Sequence, residues 1–369
     1  MTPNECLSYW LIEELVAQGI TQFCISPGSR STPLTVAAAR HPQANTKIFL
    51  DERAAAYFAL GWARATDQAA VLICTSGTAG ANYYPAIIEA SVEHLPLLAI
   101  TADRPPELQQ TGANQTVDQN RLFGSHTRWF YDPGCPDPTF QESTVKSWAA
   151  QAVLRSAYPD PGPVHLNIPF REPFLSNESP TLPKVSSPDF QLSIPIQKLA
   201  KGDLQALRQH LKADRGLVTL GELPVRAHHA VGKFLEKLNW PVFADTTSGF
   251  RFGHLTQRID LADQLLLQDH WREAGPEVWI HLGNQYVSKR WLQWWQDCNS
   301  TRKIVITNHP ERQDPSQCPH WRLQLAWPHW FIVVVTYPKH TLIPLQPSLI
   351  FVPALTQSEN ASLIFLRSI

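Results

Sequence analysis

The residues whose types and spacing could do chemistry crowd into the first third of the chain. They fall in five blocks: Ser26-Pro-Gly-Ser-Arg-Ser-Thr-Pro33, Asp51-Glu-Arg-Ala-Ala-Ala-Tyr-Phe-Ala-Leu-Gly61, Cys74-Thr-Ser-Gly-Thr-Ala-Gly-Ala-Asn-Tyr-Tyr84, Thr101-Ala-Asp-Arg-Pro-Pro-Glu107 and Gly112-Ala-Asn-Gln-Thr-Val-Asp-Gln119. Each block sits where an expected strand gives way to a loop or helix, the end of the strands at which open α/β sheets bind ligands. One carboxylate, Glu52, opens a helix, and two arginines, Arg30 and Arg104, stand on loops. Such a set suits a cofactor that must be protonated on one ring nitrogen, beside a substrate that carries carboxylates.

Each of these residues also has an ordinary use. A carboxylate in a first helical turn gains about 0.3–1 kcal/mol from the helix dipole alone. The neighbours Ala54, Ala55, Ala56 and Ala59 favour a chemical role for Glu52. A closely packed apolar helix would leave the carboxylate in a dry pocket, neutral and able to donate a proton to a heterocycle nitrogen. Cys74-Thr-Ser-Gly-Thr-Ala-Gly80 follows a strand and opens a helix, as an anion-binding loop would. It reads equally well as a tight turn, with Gly77 for conformation and Ser76 or Thr78 as helix cap. Neither glycine spacing of the common nucleotide-phosphate motifs is present. Loop arginines are ordinarily solvated, but two guanidinium forks at successive strand ends match carboxylates well. Lys289-Arg290 opens a later helix, either as a third cationic cluster or as a charged helix end. His94, His126 and His281 lack the spaced partners of a metal site.

The elements that must position these residues alternate helix and strand. Leu7, Leu11, Leu15 and Val16 share one side of a helix over Glu5 to Ala17. Gln22 to Ser26 and Lys47 to Leu50 read as strands, and Asp51 as the N-cap of the helix after it. A buried strand at Ala69 to Cys74, a helix at Ala79 to Ser91 and a strand at Pro96 to Thr101 follow, with Pro163 to Pro169 as the last strand. Repeated units of this length predict a doubly wound parallel sheet. The chain thus divides into residues 1–170, a Pro- and Ser-rich linker at 171–195, a second doubly wound α/β domain at 196–325, and an anomalous tail at 326–369. Strands are expected in the second domain at Gly216 to Leu220, Pro241 to Ala244, Val278 to Leu282 and Lys303 to Thr307. Helices are expected there at Ala227 to Leu238 and Lys289 to Trp295. In the tail, Phe331 to Val335 reads as an edge strand, but the α/β alternation stops and poor order is expected.

Composition narrows the class. The 369 residues carry 31 basic and 32 acidic side chains, and no cationic run points to nucleic acid. Six cysteines without a C-x-x-C pair suit a reducing compartment, the cytoplasm. There is no signal-peptide pattern and no apolar run near the roughly 20 residues that span a bilayer.

The five blocks together, with Ser288-Lys-Arg290, closely resemble the 2-succinyl-5-enolpyruvyl-6-hydroxy-3-cyclohexene-1-carboxylate (SEPHCHC) synthases. These are thiamine-diphosphate transferases of menaquinone and phylloquinone biosynthesis, and the resemblance runs over about residues 1 to 325. It implies that Glu52 contacts the aminopyrimidine and promotes its imino tautomer. It also implies that Ser76, Gly77, Thr78 and Gln115 bind the cofactor. Ser29, Arg30, Arg104, Gln115, Lys289 and Arg290 would hold the substrates, 2-oxoglutarate and isochorismate. 2-Oxoglutarate would be decarboxylated and its succinyl carbanion equivalent added to isochorismate, in a homo-oligomer. Family members bind the diphosphate and Mg2+ or Mn2+ through a Gly-Asp-Gly motif in a third domain, and that motif is absent from this sequence. The chain is then expected to supply about half of a site and to be inactive alone, with a frameshift or truncation near Leu325. One alternative is a non-catalytic fragment or subunit that needs a separate diphosphate-binding domain. Another is a thiamine-diphosphate decarboxylase for a different 2-oxo acid, which would need fewer cations.

Overall fold

In the computed structural model the described residues are 1–176, 190–193, 199–273, 275–318 and 320–325. The expected tail, its strand at Phe331 to Val335, and most of the expected linker lie outside them.

The first helix, α1 (Pro3–Ala17), starts where Thr2 and Glu5 cap each other's backbone N–H groups. Strand β1 (Gln22–Ile25) follows, then α2 (Thr32–Arg40) and β2 (Asn45–Ile48). The helix α3 (Glu52–Thr66) is capped by Asp51, whose carboxylate accepts from Ala54 N at 2.9 Å. Beyond it come β3 (Ala70–Cys74), α4 (Thr78–Ala81), α5 (Tyr84–Val92), β4 (Leu97–Asp103), β5 (Trp129–Tyr131), α6 (Glu142–Ala157) and β6 (Pro163–Pro169). The six strands form one parallel sheet in the order β2-β1-β3-β4-β6-β5.

Both faces of this sheet are covered, which accounts for the unbroken apolar runs. Phe23, Ile25, Val71, Ile73, Leu98 and Ile100 face one core, with α1, α2 and α6. Cys24, Leu72, Cys74, Leu97 and Ala99, the residues between them, face the other, with α3 and α5. A strand's period of two assigns each residue its side.

Three expectations shift. Strand β2 lies two residues earlier than Lys47 to Leu50, since Asn45 to Ile48 pair with Gln22 to Ile25 and Leu50 is 92% exposed. The helix expected over Ala79 to Ser91 is two helices, because Pro85 has no N–H to continue a helical ladder. The start of the expected linker is fastened to α1: Asn4 Nδ2 donates to Arg171 O at 2.7 Å and Pro173 O at 3.0 Å.

The second sheet follows α7 (Lys201–His210). It holds β7 (Gly216–Leu220), β8 (Val242–Ala244), β9 (Val278–Leu282), β10 (Arg302–Thr307) and β11 (Trp321–Gln324), parallel in the order β11-β10-β9-β7-β8. The helices α8 (His228–Leu238), α9 (Ala262–Leu265), α10 (Asp269–Glu273) and α11 (Lys289–Asp297) accompany it. One face is packed by Val231, Phe234 and Leu235 of α8, the other by Trp291, Trp294 and Trp295 of α11 against Trp279. No helix among the described residues is long and apolar enough to cross a membrane.

Polar contacts join the two sheets' helices and loops. Arg64 on α3 bridges Glu93 at 3.5 Å and Glu222 at 3.2 Å. Burial and the facing Glu93 carboxyl push Glu222 up to about 7. A carboxyl raised in the folded state is most favourable to folding below its unfolded pKa, and that contribution is lost as pH rises through the folded one. Glu222→Gln is therefore expected to raise the melting temperature at pH 8 and to leave it nearly unchanged at pH 5. Equal shifts at both pH values would contradict the raised pKa.

Candidate active site

The strand ends of the first sheet converge on one site. Gly77, where β3 turns into α4, adopts φ 83 and ψ −141, a conformation essentially reserved for glycine. A Cβ there would also lie 2.9 Å from Gln115 Cγ. The Ser76–Gly77 peptide is held at both polar ends. Gln119 Oε1 accepts the Gly77 N–H at 2.8 Å, and Gln115 Nε2 donates to Ser76 O at 3.1 Å. The Gly77 amide is therefore committed within the protein, which favours the turn over the anion loop. Neither Ser76 nor Thr78 caps α4, whose N-cap is Gly77 with no side-chain hydrogen bond. The buried Ser76 hydroxyl instead accepts from Arg104 Nη1, and Thr78 is exposed.

Arg104 follows β4, and apart from that contact its guanidinium has no partner among the described residues. It borders a cavity of about 510 Å3 lined also by Asp103, Gln109, Thr116, Asp132 and Asn167. Arg30, in the turn Ser29–Ser31 after β1, is only 7% exposed. Its Nη1 donates to Phe170 O at 2.8 Å, its Nη2 lies 3.7 Å from the exposed Glu172 carboxylate, and its guanidinium lies 4.8 Å from the centre of the Phe174 ring. The Nε is buried without a partner. Burial, then the Arg104 charge, lower the Arg30 pKa, so the two sequence-expected arginines do lie within electrostatic reach. A carboxylate between them would relieve that repulsion and the unmet donor.

Glu52 departs from the expected dry pocket. Ala55, Ala56 and Ala59 are fully buried, but they face the core, while Ala54 is exposed and Glu52 half-buried at the rim. Its carboxylate has no hydrogen bond or ion pair among the described residues. Its charge reaches inward to Cys74 and Tyr83. Burial pushes the Cys74 thiol up to about 12 and the Tyr83 phenol well above its ordinary value. The buried Tyr83 hydroxyl faces Ser26 Oγ and the Cys74 thiol, and neither hydroxyl has a well-formed hydrogen bond.

Lys289 and Arg290 are exposed on the first turn of α11, which Ser288 caps. Neither side chain makes a hydrogen bond or ion pair among the described residues. Two cations at a helix N-terminus oppose its dipole, so helix stability is not the reason for them. Ser29 is exposed as well.

Sequence reasoning passed over the polar layer beneath the site. Asp103, Gln119, His165 and Asn167 are each at most 4% exposed. Asn167 Nδ2 donates to Asp103 Oδ2 and Asp132 Oδ2, both at 2.9 Å. The signal was present: in Pro163-Val-His-Leu-Asn-Ile-Pro169, polar residues at 165 and 167 repeat every second position in an otherwise apolar strand.

A partnerless carboxylate near the rim and two guanidinium groups that keep donors to spare fit the polar edge of a heterocycle and an acidic substrate. Among the described residues no group of three or more His, Cys, Asp or Glu side chains could hold a metal ion. The set thus fits the pyrimidine end of thiamine diphosphate rather than its metal-bound diphosphate.

Comparison with known proteins agrees. The thiamine pyrophosphate enzyme N-terminal binding domain matches residues 7–122, and the middle domain of thiamine pyrophosphate enzymes matches residues 196–341. SEPHCHC synthase of Chlorobium phaeobacteroides is 43% identical over 332 residues, covering 85% of this chain and 56% of that protein. The protein of the same name from Haloquadratum walsbyi is 40% identical over 311 residues, covering 80% of this chain and 50% of that one. That from Rubrobacter xylanophilus is 39% identical over 323 residues, covering 85% and 56%. The chain spans about half the length of the curated relatives it matches. The chain thus carries the N-terminal binding domain and the middle domain of thiamine pyrophosphate enzymes, and over them it is similar to SEPHCHC synthases.

Proposed function

We propose that this chain supplies the pyrimidine-holding and substrate-holding half of a thiamine diphosphate-dependent synthase. The reaction is decarboxylation of 2-oxoglutarate and addition of the resulting succinyl unit to isochorismate, in menaquinone or phylloquinone biosynthesis. The diphosphate and Mg2+ or Mn2+ belong on a Gly-Asp-Gly domain, a motif this sequence does not contain. The observation that carries the reading is Arg30 beside Arg104, each with unmet donors, at the strand ends next to the Glu52 helix.

When bound, thiamine diphosphate supplies the nucleophilic carbon and the electron sink for a 2-oxo acid. Glu52 holds a proton at the pyrimidine ring nitrogen, and its lack of a protein partner leaves both oxygens for that task. Arg30 and Arg104 grip a carboxylate bidentately, and Gln115 on its loop orients the same end of the substrate. Lys289 and Arg290 serve the second acidic substrate.

The test is a complex reconstituted from this chain, a separately expressed diphosphate-binding domain, thiamine diphosphate and Mg2+. kcat/KM is expected to favour 2-oxoglutarate over pyruvate. Arg104→Ala should lower it for 2-oxoglutarate by about 10- to 150-fold, the effect of one charge-assisted contact of roughly 1.5–3 kcal/mol. Preference for pyruvate would sink the reading.

A further inference from the structure

We propose that Asn167, on β6, is a positioning residue for this site. It closes a circuit of hydrogen bonds that fixes both the Ser76–Gly77 peptide and Arg104. The circuit joins four stretches of chain. Asn167 Oδ1 accepts from Gln119 Nε2 at 2.8 Å, and Gln119 Oε1 accepts the Gly77 N–H at 2.8 Å. Across the peptide, Ser76 Oγ accepts from the Arg104 side chain. The Arg104 backbone N–H donates to Asp103 Oδ1 at 2.7 Å, and Asp103 Oδ2 accepts from Asn167 Nδ2 at 2.9 Å.

Donor and acceptor counting gives the circuit one direction. Two carboxylates, Asp103 and Asp132, accept both Nδ2 hydrogens, so Asn167 can present only its oxygen to Gln119. Gln119 must then turn its NH2 toward Asn167 Oδ1 and Ala102 O, leaving its oxygen for Gly77. Thr101 Oγ1 gives its single hydrogen to Asn167 Oδ1 at 2.8 Å, so it accepts from His165 Nε2 at 2.8 Å. The carboxylates thus dictate the orientation of a peptide two residues removed from them. Every other member of the circuit lies between residues 76 and 119, and Asn167 is its one member on the neighbouring strand β6.

The functional arm of this inference rests on the reading of Arg104 as a carboxylate holder, while the circuit itself does not. The decisive measurement is hydrogen exchange at the Gly77 amide of the full chain, referenced to Ile100 in the central strand β4. Asn167→Ala should speed Gly77 exchange at least tenfold relative to Ile100, and so should Gln119→Met. Because the two act in series, the double variant should exchange no faster than Gln119→Met alone. Additive effects, or a Gly77 rate unchanged by Asn167→Ala, would overturn the proposal. If Asn167→Ala fails to fold, Asn167→Ser, which cannot satisfy both carboxylates, takes its place with the same expectation. In the reconstituted complex, Asn167→Ala should raise KM for 2-oxoglutarate about tenfold with kcat less affected, and an unchanged KM counts against the proposal. If the wild-type complex does not turn over 2-oxoglutarate, the functional reading fails while the Gly77 rates still decide the circuit.

Discussion

Acidification from pH 5.5 to 4.5 is expected to remove about 2.7 kcal/mol of folding stability per pH unit. Three histidines carry the effect. Burial pushes His165 down to about 3, His281 to about 4 and His309 to about 3, against an ordinary value of 6.5. A base whose folded pKa is depressed stabilises the fold above its unfolded pKa, and that stability is lost as pH falls. Glu222 works the other way, since at about 7 the folded state already holds a proton that the unfolded chain, near 4.5, has released. Three protons taken up on unfolding against one given off leaves a net uptake of two, at about 1.4 kcal/mol per proton and pH unit. Urea midpoints at pH 5.5, 5 and 4.5 measure the slope, and a flat profile over that range would mean that these histidines are charged in the folded protein. The bond to Thr101 places a His165 hydrogen on Nε2, and a second proton on Nδ1 would be buried without a partner, which favours the neutral ring.

Gly221→Ala is expected to be the most damaging single methyl group in the second sheet, at about 3 kcal/mol, the upper end of ordinary overpacking. A Cβ there would lie 1.6 Å from Asn284 O, a backbone atom that no rotamer change can move. Gly221 cannot retreat either, because its N–H is bonded to Leu282 O at 2.9 Å. Gly216 is the internal contrast: its Cβ would meet the Trp240 ring at 2.0 Å, which is a side chain and can shift. The displaced segments are those that reach the first sheet's helices, through Asn284 to Glu93 and Glu222 to Arg64. Chemical denaturation should rank Gly221→Ala well below Gly216→Ala in stability. A loss under 1 kcal/mol for Gly221→Ala would show that the two backbones part easily.

What the sequence discloses follows from which signals are local. The arginine pair was legible because Pro-Gly and Arg-Pro-Pro mark loops directly after apolar runs, so Arg30 and Arg104 had to fall at strand ends. The Asp51 cap was legible for the same reason, three residues from the N–H it accepts. Glu52's surroundings were not, since an alanine-rich helix does not say which of its sides faces the core. Strand β5, three residues long, is too short for a periodic signal, and the register of β2 misled because Phe49-Leu50 is more apolar than Asn45-Thr46. The roles of Gln119 and Asn167 depend on a pairing 48 residues apart in sequence. No spacing rule reaches that far.

The strand order carries a consequence for how this chain is made. In the sheet β2-β1-β3-β4-β6-β5, the fifth strand to be synthesised has no neighbour but the sixth, and β4 keeps an open edge until the sixth arrives. At about 5–20 residues per second, the ribosome spends roughly 3–13 seconds between Asp103 and Pro169. Throughout that interval a nascent parallel sheet presents the unpaired N–H and C=O groups of β4 to the cytosol or to a chaperone. The strand that seals this edge also brings His165 and Asn167. Thr101 and Asp103 therefore stay wet until β6 is made, and the site's polar layer is completed in the same event that closes this edge.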